Sequence, residues 1–398
     1  KITLVEVPVS IERPSEVTSV SNEQYVFSNV TTGVQSTFTD AAAINVEPGL
    51  YNIAYRADVQ LHDGLTGELR ANATSVTIDA KGTPVRLTAY LNLPGNDLII
   101  AEIFFSGTKT AAGKQYIGDQ YIKLYNNTDH VLYADGVTLF ETDFMTTTKY
   151  ADLDPDNRDK EVAVDALYTV PGSGKDHPVQ PGEYFTIADI AIDHRTSNPL
   201  SFDLSHADFE WYDESSNPNV TDIDAPAPNL DKVYCYTKTI FMLHNRGFKC
   251  YGIARLPQAG QAYLDNNKYE YKYNMVTAAG TFPMSKQAYK VDNQYILDYV
   301  STSVETEYQW NITSPAVDCG WTSCGTLFND PDRFFHSVRR KLLTVTDDGR
   351  AILKDTNNST DDFNANVIAS EIELQGTAVN TNGDKATVVT YDGVTPKK

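Results

Sequence analysis

The sequence lacks an apolar run long enough to form a membrane-spanning helix. Its best candidate, residues 98–105 (LIIAEIFF), has the length of a strand and carries Glu102, whereas a helix that crosses a bilayer needs about 20 apolar residues. We recognise no signal peptide in the sequence, because it starts with the strand-like stretch KITLV. We expect that such a signal or a lipid anchor was removed upstream, and that contact with a membrane occurs only through that anchor.

Basic residues are scarce. The 398 residues include 32 Lys and Arg against 53 Asp and Glu, which leaves a formal net charge of -21. This charge repels nucleic acid and anionic lipid, so we expect no nucleic-acid partner. It suits a soluble protein at the cell exterior, or one that meets cations or a basic partner surface.

Cysteines are few and late in the chain. Their spacings are not the CxxC spacing that is usual in structural zinc sites, and the sequence alone cannot choose among three possible pairings. We favour disulfides over free thiols, and therefore an exported protein. The disulfide candidates are Cys235, Cys250, Cys319 and Cys324.

Common catalytic signatures are also missing. The sequence has no GxSxG motif, its seven histidines form neither HxH nor HExxH, and GSGK at 172–175 lacks the glycine spacing and Ser/Thr of a phosphate loop. Carboxylate pairs are too abundant to single out an acid/base set. We therefore expect a protein that is not an enzyme.

Period-two alternation of apolar and polar residues dominates the sequence, which predicts an all-β protein built from sandwiches. In the stretch 50–59, for example, Tyr51, Ile53 and Tyr55 are predicted to face one side and the alternate residues the other. Residues 280–297 are the exception, with modest helical character.

The best domain boundary is the Pro94-Gly95 pair in NLPGND. We predict a first β-sandwich and a second, larger one with long polar insertions, followed by a final strand and a loose tail. The predicted ranges are 1–95, 96–371 with insertions at 141–180 and 198–300, and 372–398.

The second block resembles the lamin-tail domain, an immunoglobulin-like β-sandwich. The resemblance is carried, in order, by LIIAEIFFSG, QYIKLYNNTDHVLYADGVTLFE, VQPGEYFTIAD and HSVRRK with DTNNSTDDF. Lys123 departs from the pattern, because a Glu usually stands there. The first block resembles transthyretin-like, carboxypeptidase-regulatory sandwiches through NVTTG and VEPGLYNIAY.

Taken whole, the chain resembles an uncharacterised family of Bacteroidetes surface lipoproteins. This likeness rests on DLSHADFEWYDESSNPNVTDIDAPAPNLDKVY and on RRK with DTNNSTDDF. It implies an exported outer-membrane lipoprotein that faces the cell exterior and works beside outer-membrane uptake systems, and it brings no established catalytic residues.

The acidic stretch YADLDPDNRDKE is a candidate calcium site, because calcium takes six to eight oxygen ligands. It lacks the Gly and Glu positions of an EF-hand, and a merely solvated acidic loop is the alternative. No cofactor is certain and calcium is possible. The candidate ligands are Asp152, Asp154, Asp156, Asp159 and Glu161.

In the strand KYEYKYN, Tyr269, Tyr271 and Tyr273 share one face. Either they pack in a core, or they form an exposed stripe that stacks on a sugar, an aromatic chelate or a protein partner. Trp211 and Trp321 are further candidate ligand-binding residues.

The stretch DTNNSTDDF at 355–363 is crowded with Asp, Asn and hydroxyl residues, which cap their own backbone in turns. We interpret it as a turn, with a cation site or a cluster of catalytic acids as the alternatives.

Together these features predict a non-enzymatic lipoprotein that captures or hands over a nutrient, an unknown small ligand or glycan, beside a TonB-dependent outer-membrane transporter. The alternative is an adhesin or a structural surface-assembly subunit.

Overall fold

The computed structural model describes residues 3–15, 17–61, 66–92, 95–345 and 348–388. The chain forms two compact units, Lys1–Pro94 and Gly95–Lys398. Strands make up most of the regular structure in both units, which confirms the all-β prediction. Within the described residues, none of the helices is both long and apolar enough to cross a membrane.

The first unit is built around one antiparallel sheet of five strands, in the order β4-β3-β6-β7-β9, with the smaller pairs β1-β5 and β2-β8 beside it. Its strands are β1 (Val5–Glu6), β2 (Val9–Glu12), β3 (Val17–Asn29), β4 (Gln35–Phe38), β5 (Asn45–Val46), β6 (Gly49–Leu61), β7 (Thr66–Ile78), β8 (Val85–Thr88) and β9 (Tyr90–Asn92).

The core of this unit lies on one face of the sheet. Tyr51, Ile53 and Tyr55 of β6 are buried together with Phe27 of β3, whereas Arg56 is exposed. The alternation predicted for β6 is therefore confirmed. One buried face and one solvated face are usual for an antiparallel sheet of this kind.

The second unit contains two large sheets. Its elements are β10 (Ile99–Phe104), β11 (Thr108–Lys109), β12 (Gln115–Tyr116), β13 (Tyr121–Tyr125), β14 (Leu132–Tyr133), β15 (Val137–Met145), β16 (Ala151–Asp154), β17 (Glu161–Thr169), β18 (Pro178–Val179), β19 (Tyr184–Ala188), β20 (Phe209–Glu210), β21 (Asp231–Cys235), β22 (Lys249–Arg255), α1 (Gly260–Asn266), β23 (Lys268–Thr277), β24 (Gly280–Asp292), β25 (Ile296–Val300), β26 (Thr302–Ser303), β27 (Thr322–Ser323), β28 (His336–Arg340), β29 (Leu342–Val345), β30 (Ala351–Leu353), α2 (Ser359–Asp362), β31 (Phe363–Ile368) and α3 (Ser370–Gln375).

A six-stranded sheet has the order β20-β19-β13-β10-β28-β31. An eight-stranded sheet has the order β16-β23-β24-β17-β15-β22-β25, with β21 also paired to β17. The main core, which includes Ile103, Ile122, Leu139 and Ile253, draws on strands of both sheets. Further apolar clusters contain other residues of each sheet. Because strands such as β10 are covered on both faces, they are buried along their whole length.

One local prediction is wrong. Residues 280–292 form strand β24, because each residue from Gly280 to Tyr289 pairs with β23 and this pairing overrides weak helical character. The segment predicted to hold a final strand begins inside α3, which covers Ser370–Gln375 and ends at Gly376 in a left-handed conformation. The final strand itself stays a prediction, because part of the segment lies outside the described residues. Pro94 and the tail residues 389–398 lie outside the described part of the chain.

Candidate functional site

An open cavity of about 470 Å³ lies on strands β16, β23 and β24, and we call it the β16–β24 groove. The strand register sets Asp154 opposite Lys272, Lys272 opposite Ser285, and Glu270 opposite Gln287. The groove is therefore lined mostly by side chains on one face of the ribbon. Its polar lining residues are Asp154, Glu270, Lys272, Ser285, Lys286 and Gln287.

The lining of the groove offers both hydrogen-bond donors and acceptors. The lining supplies two carboxylates and the ammonium of Lys272, and Ser285 and Gln287 add a hydroxyl and an amide. The ammonium of Lys286 is paired with the buried Asp143. These six side chains are solvent-exposed. An arrangement of this kind suits an uncharged polar ligand, because such a ligand needs hydrogen bonds of both kinds rather than a net field.

Beneath the groove, the hairpin is fixed to the sheet by a buried polar contact. The Tyr271 hydroxyl donates to Asp143 Oδ2 at 2.5 Å, and Lys286 Nζ binds Asp143 Oδ1. Burial and the charge of Asp143 raise the pKa of Tyr271 far above its usual range, so its hydroxyl stays a donor. Tyr150 stacks on Tyr273 with ring centroids 3.7 Å apart. The base of the hairpin is thus held by contacts on its tyrosine face.

The three tyrosines of KYEYKYN belong to the core. Tyr269, Tyr271 and Tyr273 are 4%, 2% and 7% exposed, because Phe144 and Trp310 belong to the same apolar cluster as their rings. The alternative in which they form an exposed ligand-binding stripe is wrong. The residues between them, Glu270 and Lys272, line the groove and are exposed, and the buried Tyr271 also borders it.

Beyond the groove, β23 and β24 continue as a two-stranded ribbon, residues 275–284, which we call the hairpin tip. The register pairs Met275 with Phe282 and Tyr273 with Met284, so the buried tyrosine face continues outward as an apolar face. On this face Met275, Phe282 and Met284 are 36%, 47% and 39% exposed, and Val276 on the opposite face is 68% exposed. Exposed apolar side chains grouped in this way mark interaction surfaces.

Neither the groove nor the hairpin tip was identified from the sequence. A signal for the tip was present, because MVTAAGTFPM is apolar where a hairpin turn is usually polar. The groove has no comparable signal, since its residues come from three strands whose pairing the sequence does not reveal.

The predicted calcium ligands do not converge. Asp152 accepts a hydrogen bond from Asn274, Asp156 pairs with Arg158 at 2.6 Å, and Glu161 pairs with Lys290 at 2.7 Å. Asp154 lines the groove, and Asp159 is an exposed turn residue. Within the described ranges, no group of three or more His, Cys, Asp or Glu side chains could hold a metal ion. The acidic stretch is an edge strand and turn whose carboxylates serve separate contacts.

The two candidate tryptophans have different surroundings. Trp211 is fully buried, and its Nε1 donates to the Phe241 carbonyl at 3.3 Å, so the prediction that it contacts a ligand is wrong. Trp321 is partly exposed and stacks on Tyr308 at 5.0 Å. Its role as a ligand contact stays a prediction.

The predicted disulfides are absent, because Cys235, Cys250 and Cys324 are free thiols. Strands β21, β17, β15 and β22 lie side by side in that order. Three strand spacings hold Cys235 and Cys250 about 14 Å apart, beyond the ~7 Å that a disulfide can span. Burial raises the pKa of Cys250 and Cys324 to about 12, so both thiols stay protonated. The pairing of Cys324 with Cys319 does not form either.

The stretch 355–363 is a turn that leads through α2 into β31. Asp362 accepts hydrogen bonds from the backbone and hydroxyl of Thr356, at 2.7 and 2.6 Å. The fully buried Arg340 lies 3.4 Å from Asp355 and 3.7 Å from Asp362, and pairs with Asp298 at 2.5 Å. The cation beside this acidic turn is therefore the guanidinium of Arg340, and the stretch is a turn as interpreted from the sequence.

Lys123, which departs from the lamin-tail pattern, has a structural partner. Its Nζ lies 2.7 Å from Glu371 and 2.8 Å from the Ser370 hydroxyl, both on α3. Glu102 on the neighbouring strand accepts from the Tyr121 hydroxyl at 3.0 Å. Helix α3 thus supplies a carboxylate that compensates for the lysine.

Comparisons with known proteins address the fold. Residues 180–370, just under half of the chain, match the model of a family described as "Protein of unknown function (DUF4876)". The chain is also similar to the crystal structure of a DUF4876 family protein from Bacteroides thetaiotaomicron VPI-5482. That likeness has a TM-score of 0.57 and 22% identity, and covers 92% of this chain and 95% of that chain. No curated protein matches this chain.

Proposed function

We propose that this protein is a non-enzymatic cell-surface lipoprotein that captures or hands over a nutrient beside a TonB-dependent outer-membrane transporter. The observation that carries the proposal is that one hairpin, β23–β24, bears both a polar groove and an apolar tip. Groove and tip correspond to the two contacts that such a protein needs, one for the ligand and one for the transporter.

The distance between the two features suits a handover. Lys272 lines the groove and Val276 lies in the tip, four residues further along β23. At about 3.4 Å per residue, this separation is about 14 Å. A transporter that binds the tip would therefore lie close to a ligand bound in the groove.

The groove suits binding better than catalysis. Catalytic acids and bases usually have perturbed pKa values and face a cleft. Burial raises the pKa of Asp119 to about 7, and the pKa of Glu371 is lowered to about 2 because the His206 hydrogen bond and the charge of Lys123 outweigh burial. Neither residue lines the groove. Tyr271 borders the groove and its pKa is also raised, but its hydroxyl is engaged by the buried Asp143. This supports a non-enzymatic role with a glycan or another uncharged polar ligand.

Two observations support the proposed location at the cell surface. The excess of acidic residues suits an exterior protein, and the fold likeness to a protein from Bacteroides agrees with the lipoprotein resemblance. The lipid anchor belongs to the proposal.

Crosslinking in the native outer membrane, followed by capture of this chain, tests the proposal. We expect one TonB-dependent transporter at near-equal abundance with the wild-type chain. The double variant Met275→Ser with Phe282→Ser should reduce that recovery at least tenfold, because these two paired residues form the centre of the exposed apolar face. Leu374→Ser is the matched control, since Leu374 is 61% exposed on α3. Recovery of the chain alone or of other surface subunits contradicts the proposal.

One observation favours the alternative of an adhesin or assembly subunit. In the described residues, β24 from Gly280 to Ala288 pairs with β23 only, so its other edge is open to a further strand. Pro283 and Lys286 lie on that edge and disfavour strand addition. Concentration-dependent oligomers on size exclusion, abolished by a second proline at Ser285, would favour this alternative.

A further inference from the structure

A second surface of this unit carries two arginines in an unusual environment. Arg246 lies in a tight turn in which Gly247 N donates to the His244 carbonyl at 2.8 Å, and Gly247 has a φ of 72°. The Arg246 guanidinium lies over the Phe328 ring, 4.7 Å from its centroid. Its Nε is buried and has no hydrogen-bond partner within the described ranges.

Arg333 lies directly beside this turn. Its Nε donates to the carbonyl of Asn245 at 3.0 Å, and its guanidinium lies 4.2 Å from the Phe334 ring centroid. Burial and the neighbouring charge of Arg246 lower the pKa of Arg333 from its ordinary value. Two guanidinium groups therefore sit next to each other in a partly buried place.

Neither group is neutralised by an ion pair in the part of the chain that the structure describes. The Asp330 carboxylate is near and its charge offsets part of that of Arg333, whose Nη1 also donates to the Asp330 carbonyl at 2.7 Å. Arg246 therefore has no ion-pair partner among the described residues and lies beside a second cation that repels it, in a chain that carries 53 acidic residues. By contrast, an acidic partner is present for Arg158, Arg195, Arg255, Arg339 and Arg340.

The pKa of His244 responds to the positive charges of this region. Its ring stacks on Phe248 at 4.5 Å, and Phe248 in turn contacts Phe328 at 5.3 Å. Burial and the charges of Lys249, Arg246 and Arg333 lower the pKa of His244 to about 4. Lys249 itself is neutralised by Glu141 and Asp165. Asp330 offsets part of the charge of Arg333, so the charge that lacks an acidic neighbour is that of Arg246.

An apolar surface adjoins the guanidinium of Arg246. Phe328 is 49% exposed and its neighbour Leu327 is 58% exposed. We infer that Arg246, backed by Arg333, binds an oxyanion (carboxylate or phosphate) whose apolar body rests on Phe328 and Leu327. Arginine suits this role because its planar group binds both oxyanions bidentately. The site shares no residue with the β16–β24 groove and does not depend on the proposed function.

Isothermal titration of the full chain with benzoate and with inorganic phosphate, at constant ionic strength, tests this site. We expect at least one of them to bind at millimolar concentration, and Arg246→Gln to weaken that binding about tenfold or more. Arg246→Lys keeps the charge and should retain part of it. Arg195→Gln is the matched control, because Arg195 is a half-exposed arginine paired with Asp193 and should leave binding unchanged.

Phe328→Ala distinguishes the two ligand sources. It should weaken benzoate while leaving phosphate unchanged if the apolar body contacts the ring, and circular dichroism of each variant checks that it folds. Absence of binding by both probes, or equal binding by wild type and Arg246→Gln, would overturn the inference.

Discussion

The base and the tip of the β23–β24 hairpin share one apolar face that lies in opposite surroundings at the two ends. Tyr271 at the base is buried under Phe144 and Tyr150, whereas Phe282 lies on the same face of the tip and is 47% exposed. The ribbon is continuous between them, so its own conformation does not cause the difference. What the rest of the chain packs against a face decides whether that face becomes core or contact surface.

The largest effect is expected from truncation at the base. Tyr271→Ala removes a buried ring and leaves Asp143 without one of its partners, which should lower the free energy of unfolding by about 3–5 kcal/mol. Urea unfolding followed by tryptophan fluorescence measures this. Val276→Ala at the tip is the control, and a similar loss in both variants would remove the distinction between base and tip.

A second buried polar region should respond to acid. Burial alone would raise the pKa of Glu371, but the His206 hydrogen bond and the charge of Lys123 lower it to about 2. The carboxylate therefore stabilises the folded state fully above about pH 4.5, and this contribution, on the order of 3 kcal/mol, is lost as the pH falls towards 2. Unfolding of wild type and Glu371→Gln between pH 7 and pH 2.5 should show a difference that shrinks with acid. A constant difference would contradict this assignment.

A smaller effect should follow from removing only the Tyr271 hydroxyl. Tyr271→Phe keeps the ring in place, and Asp143 keeps Lys286. We expect a loss of about 1–2 kcal/mol in the free energy of unfolding, the usual result of leaving a buried hydrogen-bond acceptor less satisfied. A loss as large as that of Tyr271→Ala would mean that the hydroxyl, rather than the ring, anchors the base.

The smallest effect on stability is expected at the tip. Phe282→Ser should change the free energy of unfolding by about 0.5 kcal/mol or less, because the side chain is already half in water. The same change should reduce capture of the partner if the tip is a docking surface. A large loss of stability measured by urea unfolding would show that Phe282 packs within the folded unit.

The buried faces of the strands could be predicted from the sequence in the first unit but not in the second. In the first unit, one face of the sheet is solvated, so the alternation at Tyr51, Ile53 and Tyr55 could be assigned directly to a buried face. In the second unit, strands such as β10 are buried on both faces. The alternation of apolar and polar residues therefore no longer shows which side chains face the core. The tyrosines of β23 alternate as an exposed stripe would, and only Phe144, Tyr150 and Trp310 from distant parts of the chain show that they are core.

The candidate sites depend still more on pairing between distant segments. The groove needs Asp154 of β16 beside Lys272 and Ser285, and the oxyanion site needs Arg246 beside Arg333 and Phe328. The disulfide prediction was wrong for the same reason, since two intervening strands separate Cys235 from Cys250.

The sequence by itself determined the all-β class, the strand faces of the first unit and the acidic charge, because these follow from local periodicity and composition. Only the tertiary structure decided which apolar faces are covered, which carboxylates are neutralised and which cations are left without partners. Those properties depend on strand register and on contacts between residues far apart in the chain, and no local pattern encodes them.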